Sequence, residues 1–196
     1  MGSEFHWIED GDFIESTEWN NRIKATGYSS DLVSDIISSI KHSGINLIKQ
    51  KDMFQGKYKS SYFLESHSVH QFSDDIQFIK SLVQNRPLKL MVTQCSPAAG
   101  DPENFFDVEF LPLCCGKDQA VKFVKDLYDI PVENTFAFGD SCNDLAMFSV
   151  VGNAFWVENA DASARQNPYV IAEGDYCHGI LAALSRSHIF LSNGLD

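Results

Sequence analysis

The sequence of 196 residues lacks several features, and each absence removes a class of function. It has no basic run: 15 Lys and Arg stand against 27 Asp and Glu, for a net charge of −12. Duplex nucleic acid and anionic membrane surfaces are held by clustered Lys and Arg, so neither is an expected partner. No apolar stretch reaches the roughly 18 residues that a membrane-crossing helix needs. Met1-Gly2-Ser3-Glu4-Phe5 has neither a basic n-region nor an apolar h-region, so no secretory signal is expected there. The cysteines are Cys95, Cys114, Cys115, Cys142 and Cys177, an odd number with no C-x-x-C pair. That pattern fits reduced thiols in a cytoplasmic protein better than a disulfide framework or a structural zinc site. No G-x-G-x-x-G follows a strand, which disfavours dinucleotide binding. There is no internal repeat and no low-complexity tract.

What is present reads as a folded chain. Hydrophobic residues make up 44% of it, enough for a packed core. Ser29-Ser30-Asp31 precedes Leu32, Val33, Ile36, Ile37 and Ile40, a helical stripe behind an N-cap that ends near Gly44. Phe72 to Val83 reads as a second amphipathic helix burying Ile76, Ile79, Leu82 and Val83. Short strands are expected at residues 5–8, 45–48, 57–64, 88–93 and 106–111. From there, helices at 120–128, 144–151, 160–166 and 179–185 alternate with strands at 135–138, 154–157 and 169–172. Alternation of this kind predicts an α/β parallel sheet with crossover helices. We place the boundary between the α+β part and the α/β part near Asp107. Residues 15–107 then form one domain and 108–190 the other, with 1–14 the end of a preceding core segment and 191–196 a tail.

The chemistry concentrates in Phe138-Gly139-Asp140-Ser141-Cys142-Asn143-Asp144, where a buried strand runs into a helix. In open parallel sheets, ligands bind beyond the carboxyl ends of the strands. Asp140 and Asp144, with Ser141 and Asn143 between them, supply hard oxygens of the type that Mg²⁺ takes. The alternative is a strand-to-helix turn in which Asp140 or Ser141 merely caps the helix. Lys117, in Cys115-Gly116-Lys117-Asp118, opens a helix and is placed to meet phosphate oxygens as a point charge; the alternative is a solvated surface lysine.

The order Gly-Lys, helix, strand, Gly-Asp-Ser-x-Asn-Asp, followed by Asn153-Ala154-Phe155-Trp156-Val157-Glu158-Asn159-Ala160, resembles the third and fourth motifs of the haloacid dehalogenase superfamily. The resemblance is to the branch with a large α+β cap between the second and third motifs. It extends through Glu18-Trp19-Asn20-Asn21-Arg22-Ile23, Lys57-Tyr58-Lys59, Cys95 to Glu103 and Phe106-Asp107-Val108, which are similar to sugar-phosphate phosphatases related to sucrose-phosphate phosphatase. It covers nearly the whole chain. It implies a Rossmann-like core with an α+β cap, Mg²⁺ as cofactor, and a phosphorylated sugar of the hexose or amino-hexose 6-phosphate class as partner. It also implies that Gly2-Ser3-Glu4 is native sequence. Residue by residue, it implies that Asp140 and Asp144 serve the metal and that Lys117, Asn143 and Asp144 serve catalysis. Ser141 orients the site, and Tyr58, Lys59, Cys95, Ser96 and Asp101 meet the sugar.

The family's nucleophile motif, D-x-D-x-[TS], occurs nowhere in the chain. Asp10-Gly11-Asp12 reads D-x-D, but no apolar strand leads into it, and Asp-Gly favours a surface turn. The family's second-motif Ser/Thr is also absent. Without the attacking aspartate the covalent route is closed, so this chain alone is expected to be inactive or nearly so. Without the core's first strand it is expected to self-associate or to need a missing N-terminal core segment. A sugar-phosphate-binding remnant and a half-enzyme completed by a second chain are the alternatives to a fragment of a phosphatase.

Overall fold

The computed structural model describes residues 2–95, 97 and 100–187. The chain divides into two compact units, one reaching to Gly116 and the other starting at Lys117.

The first unit begins with a hairpin of β1 (His6–Glu9) and β2 (Asp12–Glu15), with Glu9 opposite Asp12. Asp10 and Gly11 make its two-residue turn with φ of 50° and 90°, the left-handed values that a tight hairpin needs and that Asp-Gly supplies. The D-x-D of the sequence is therefore a hairpin tip. Helix α1 (Thr17–Ala25) follows, capped by the Ser16 side chain, which accepts from the Trp19 N–H at 3.2 Å. Sequence reading did not find this helix. Its buried face is only Trp19 and Ile23, one helical turn apart.

Helices α2 (Ser30–His42) and α3 (Val69–Val83) are capped by Ser29 and Ser68, each accepting a backbone N–H three residues on. They bury Val33, Ile36 and Ile40, and Ile76, Ile79 and Val83. These apolar faces belong to one core with an antiparallel sheet. The sheet comprises β3 (Leu47–Lys49), β4 (Ser60–Glu65), β5 (Leu88–Gln94) and β6 (Phe105–Pro112), in the order β3-β4-β6-β5. Strand β6 has two chemistries. Phe106, Val108 and Phe110 point to the helices, with Phe106 stacked on Phe72 at 4.0 Å. Asp107 and Glu109 alternate with them and so point to the other face.

The boundary expected near Asp107 falls within β6. That strand pairs with both β4 and β5 through to Phe110 and Pro112, so residues 108–116 stay with the first unit. Residues 1–14, expected to end a core segment, also cluster with this unit. Trp19 Nε1 donates to the Ser3 carbonyl at 3.1 Å, and the Gly116 N–H donates to the Gly2 carbonyl at 3.0 Å. These bonds tie both ends of the unit together.

The second unit is α/β. Helix α4 (Lys117–Leu127) leads to a parallel sheet of β7 (Phe136–Gly139), β8 (Asn153–Trp156) and β9 (Val170–Ile171), in that order. Short α5 (Leu145–Phe148) and α6 (Tyr176–Ser185) connect and follow the strands. Ala137, Phe148, Trp156 and Ala164 make the core, with Tyr169 edge-on to Phe148 at 4.9 Å. The helix expected at 144–151 is a 3₁₀ turn at Cys142–Asp144 followed by four α-helical residues. No helix among the described residues is long and apolar enough to cross a membrane. The tail expected at 191–196 lies outside the described residues.

Trp19 is fully buried and holds the start of the chain through its indole N–H. Trp19→Ala is expected to cost about 3–5 kcal/mol in urea denaturation, the range for removing a large buried aromatic.

Candidate functional site

The second unit gathers the charged residues of the glycine-aspartate turn around one buried carboxylate. Strand β7 ends at Gly139, and Asp140 to Asp144 fold back so that the Asp144 side chain lies beneath the strand end. Asp144 is 5% exposed. Its Oδ2 accepts the Asp140 backbone N–H at 3.1 Å. Its Oδ1 accepts from Lys117 Nζ in a short ion pair. The same ammonium donates to Asn143 Oδ1 at 2.6 Å. Gly139 is required by this packing. A Cβ there would stand 2.5 Å from Asp144 Oδ2 and 2.6 Å from its Cβ, closer than nonbonded atoms can approach.

Asp140 itself is exposed, and no hydrogen bond or ion pair engages its carboxylate among the described residues. Its carbonyl is fixed by the Asp161 N–H at 2.7 Å, and the Gly139 carbonyl by the Val157 N–H at 3.0 Å. Ser141 precedes the 3₁₀ turn with an extended backbone, and its carbonyl accepts the Asp144 N–H at 3.0 Å. Lys117, Asp140 and Asp144 line an open depression of about 350 Å³ together with Phe138, Tyr176 and Cys177. Sequence reading did not mark Tyr176 or Cys177. They come from the start of α6, far along the chain, with no motif to signal them. The arrangement offers a free carboxylate, a cation and a rigid loop on one rim. A divalent cation and an anionic group fit such a rim.

The sugar-contact residues expected from the sequence lie in the first unit, and they divide. Tyr58 is engaged by aromatic neighbours: its ring is edge-on to Tyr28 at 6.1 Å, and Lys57 Nζ sits 5.3 Å from its centroid. Lys59 and Cys95 belong to the polar face of the four-stranded sheet. Lys59 Nζ lies 3.3 Å from Glu109 Oε1, which also accepts from Ser61 Oγ at 3.3 Å. Cys95 is 6% exposed, and burial first, then the charges of Asp107 and Asp101, push its thiol up to about 12. Cys95, Asp101 and Asp107 bring their ligand-type atoms within 4.8 Å of one another. Asp107 Oδ1 accepts from Gln50 Nε2 at 2.6 Å. Burial raises the Asp107 pKa, with repulsion from Asp101 and Glu109 adding to it and the Gln50 hydrogen bond opposing it. Ser96 lies outside the described residues. Sequence reading did not select Gln50, Ser61, Asp107 or Glu109 for this face. Two acids alternating with apolar residues in Phe106-Asp107-Val108-Glu109-Phe110 were the available signal.

A raised carboxylate makes a signed prediction. The folded chain holds the Asp107 proton more tightly than the unfolded chain does, so stability falls as pH rises from the ordinary carboxylate range through the raised value. Asp107→Asn keeps an acceptor for Gln50 and removes the charge. It is expected to raise the melting temperature at pH 7 and to lose that advantage at pH 3, as followed by circular dichroism.

Comparison with known proteins shows the family. Residues 1–188 match the family described as sucrose-6F-phosphate phosphohydrolase. The kanosamine-6-phosphate phosphatase of Bacillus subtilis is 28% identical over 188 residues, covering 95% of this chain and 66% of that protein. An uncharacterized hydrolase of Staphylococcus aureus is 29% identical over 180 residues, covering 90% of this chain and 65% of that protein. The chain thus spans about two thirds of the length of these relatives. Among solved structures, a haloacid dehalogenase-like hydrolase from Bacillus subtilis superposes with a TM-score of 0.66 at 26% identity, over 96% of this chain and 67% of that one. The sucrose-phosphatase of Synechocystis, solved with sucrose and phosphate, shares the fold with a TM-score of 0.69 at 19% identity, over 93% of this chain and 70% of that one.

Proposed function

The chain belongs to the sucrose-6F-phosphate phosphohydrolase family of haloacid dehalogenase-like proteins, and on that premise we propose that it carries the metal-and-phosphate half of a Mg²⁺-dependent sugar-phosphate monoesterase. One observation carries the reading. Lys117 Nζ is held by Asn143 and Asp144 inside the turn that presents the free Asp140 carboxylate.

The donor set fits a hard cation. Asp140 offers carboxylate oxygens, and Asp144 has lone pairs beyond the two hydrogen bonds it accepts, suited to a metal-bound water. When bound, Mg²⁺ would neutralise phosphate charge and polarise the P–O bonds. The chain's own residues do the rest. Lys117 places a fixed positive charge against a phosphoryl oxygen. Asn143 and Asp144 keep its ammonium from swinging to solvent. Asp140 would hold the cation beside the Lys117 ammonium. The substrate class is a hexose or amino-hexose 6-phosphate, in line with the kanosamine-6-phosphate phosphatase it resembles.

The chain's D-x-D, Asp10-Gly11-Asp12, forms the tip of a hairpin. That observation favours a second reading for the chain as it stands: it binds a sugar phosphate without hydrolysing it, or acts once another segment or chain supplies the nucleophile. The protein is expected to act in the cytoplasm.

Isothermal titration with Mg²⁺ in the presence of glucose 6-phosphate is expected to show a site that Asp140→Asn weakens by about tenfold or more, the loss of one charged ligand, without lowering the melting temperature. Phosphate release by the 196-residue chain should stay at background. Mg²⁺ affinity unchanged in Asp140→Asn would remove the metal assignment, and steady turnover by the chain alone would remove the second reading.

A further inference from the structure

The connection between β5 and β6 brings one thiol and two carboxylates together within the first unit. Cys95 directly follows β5, and its N–H donates to the Phe105 carbonyl at 3.0 Å, so it continues the pairing with β6. Thr93 stands opposite Asp107 in that pairing. Side chains two residues apart share a face, so Cys95 and Asp107 are diagonal neighbours on one side of the sheet. The chain then turns at Gly100, whose φ is 92° and whose N–H donates to the Pro97 carbonyl at 3.0 Å, and presents Asp101. Cys95 Sγ and a carboxylate oxygen from each of Asp101 and Asp107 lie within 4.8 Å of one another. Cys95 is buried, whereas Asp101 and Asp107 are partly exposed, so solvent reaches the cluster from their side.

We propose that Cys95, Asp101 and Asp107 form a Zn²⁺ site that ties the end of β5 to β6. Zinc takes thiolate sulfur at about 2.3 Å and carboxylate oxygen at about 2.0–2.2 Å in a tetrahedron, and three protein ligands with one water complete it. Ligand atoms at those distances stand about 3.5 Å from one another, so small side-chain rotations close the set. Gln50, 8% exposed, steadies Asp107 from the side: its Nε2 donates to Asp107 Oδ1 at 2.6 Å and to the Tyr62 carbonyl at 3.3 Å. Ligating carboxylates are oriented by hydrogen bonds of this kind. The charge of the neighbourhood is a second, independent sign. Glu109, two residues from Asp107 on the same face of β6, has a buried Oε2 that no donor reaches among the described residues. The Lys59 ammonium lies at the other oxygen, Oε1. A divalent cation at Asp107 offsets this uncompensated negative charge without touching Glu109. Mg²⁺ is poorly served, because it takes oxygens in near-octahedral order, whereas a thiolate selects zinc.

Zinc has to displace a proton. Burial first, then the charges of Asp107 and Asp101, push the Cys95 thiol up to about 12, so it is protonated at neutral pH. Binding breaks the S–H bond: the proton leaves to the buffer and the sulfur lone pair goes to the metal. The groups around the thiol are Asp107 on β6 with Glu109 beyond it, Asp101 from the connection, the neutral Gln50 after β3, and the Lys59 ammonium at Glu109. Apparent affinity therefore rises about tenfold per pH unit near neutrality, the slope of one released proton.

The test is a titration of the 196-residue chain with Co²⁺, the spectroscopic substitute for Zn²⁺. A thiolate-to-cobalt charge-transfer band is expected to grow in the near ultraviolet up to a single equivalent, and Zn²⁺ is expected to bleach it. Cys95→Ser should lose the band. Asp101→Asn and Asp107→Asn should each weaken Zn²⁺ binding about tenfold or more, at least the scale of a lost outer-shell partner. Replacing the two exposed thiols together, Cys142→Ser with Cys177→Ser, should leave the band intact. Asp101 lies outside the strands, so Asp101→Asn decides the matter even if Cys95→Ser fails to fold, as circular dichroism would report. A band that survives in Cys95→Ser, cobalt binding without a thiolate band, or Zn²⁺ affinity unchanged in Asp101→Asn would overturn the proposal. So would Mg²⁺ displacing Co²⁺ as readily as Zn²⁺ does.

Discussion

The ion pair between Lys117 and Asp144 is the contact on which the second unit's site depends. It joins the first residue of α4 to the end of the turn after β7, across 27 positions of sequence. Each partner alone would be a problem. The Asp144 carboxylate is nearly fully buried, and a buried charge stripped of its partner costs several kcal/mol. Lys117 without Asp144 and Asn143 would be a flexible surface chain with no fixed direction. Together they fix a positive charge beside a free carboxylate. Two features permit this: a glycine at 139, where any side chain would collide with Asp144, and a tight 3₁₀ turn that swings Asp144 under the strand end.

The first unit separates its tasks by face. One side of the antiparallel sheet is apolar and closes a core with α2 and α3. The other side carries the buried polar residues Gln50, Ser61 and Glu109 and the half-buried Asp107. The period of two along β6 delivers both faces from a single strand. A fold that needed only stability would not place two acids there, since polar burial lowers stability unless every group is satisfied. Among the described residues no donor reaches Glu109 Oε2, and stability is given up there.

Much of this was legible in the sequence, and the rest was not for identifiable reasons. Helices α2 and α3 announced themselves through Ser caps and regular apolar spacing. Strand β7 and the turn at Asp140 were visible because an apolar run stops abruptly at Gly-Asp. Lys117 and Asp140 to Asp144 were selected on order and spacing, and the structure brings them together. Helix α1 was missed because its buried face has just two apolar residues, too few for a periodic signal. Val108 to Pro112 read equally well as a buried strand of either sheet type, and only the pairing partners distinguish them. On the polar face Lys59 and Cys95 were selected, but Gln50, Ser61, Asp107 and Glu109 were missed because they meet as cross-strand neighbours. Ser61 meets Glu109 through register, and Gln50 reaches Asp107 from 57 positions away. No local pattern encodes such meetings.

The most direct test of the account is a double-mutant cycle on Lys117→Met and Asp144→Asn, read by urea denaturation. The pair is predicted to couple by about 1–3 kcal/mol, with Lys117→Met the more costly single change and the double variant recovering part of the loss. Single effects that add to within about 0.5 kcal/mol would mean that the two residues act independently, and the site would then have no fixed cation at its centre.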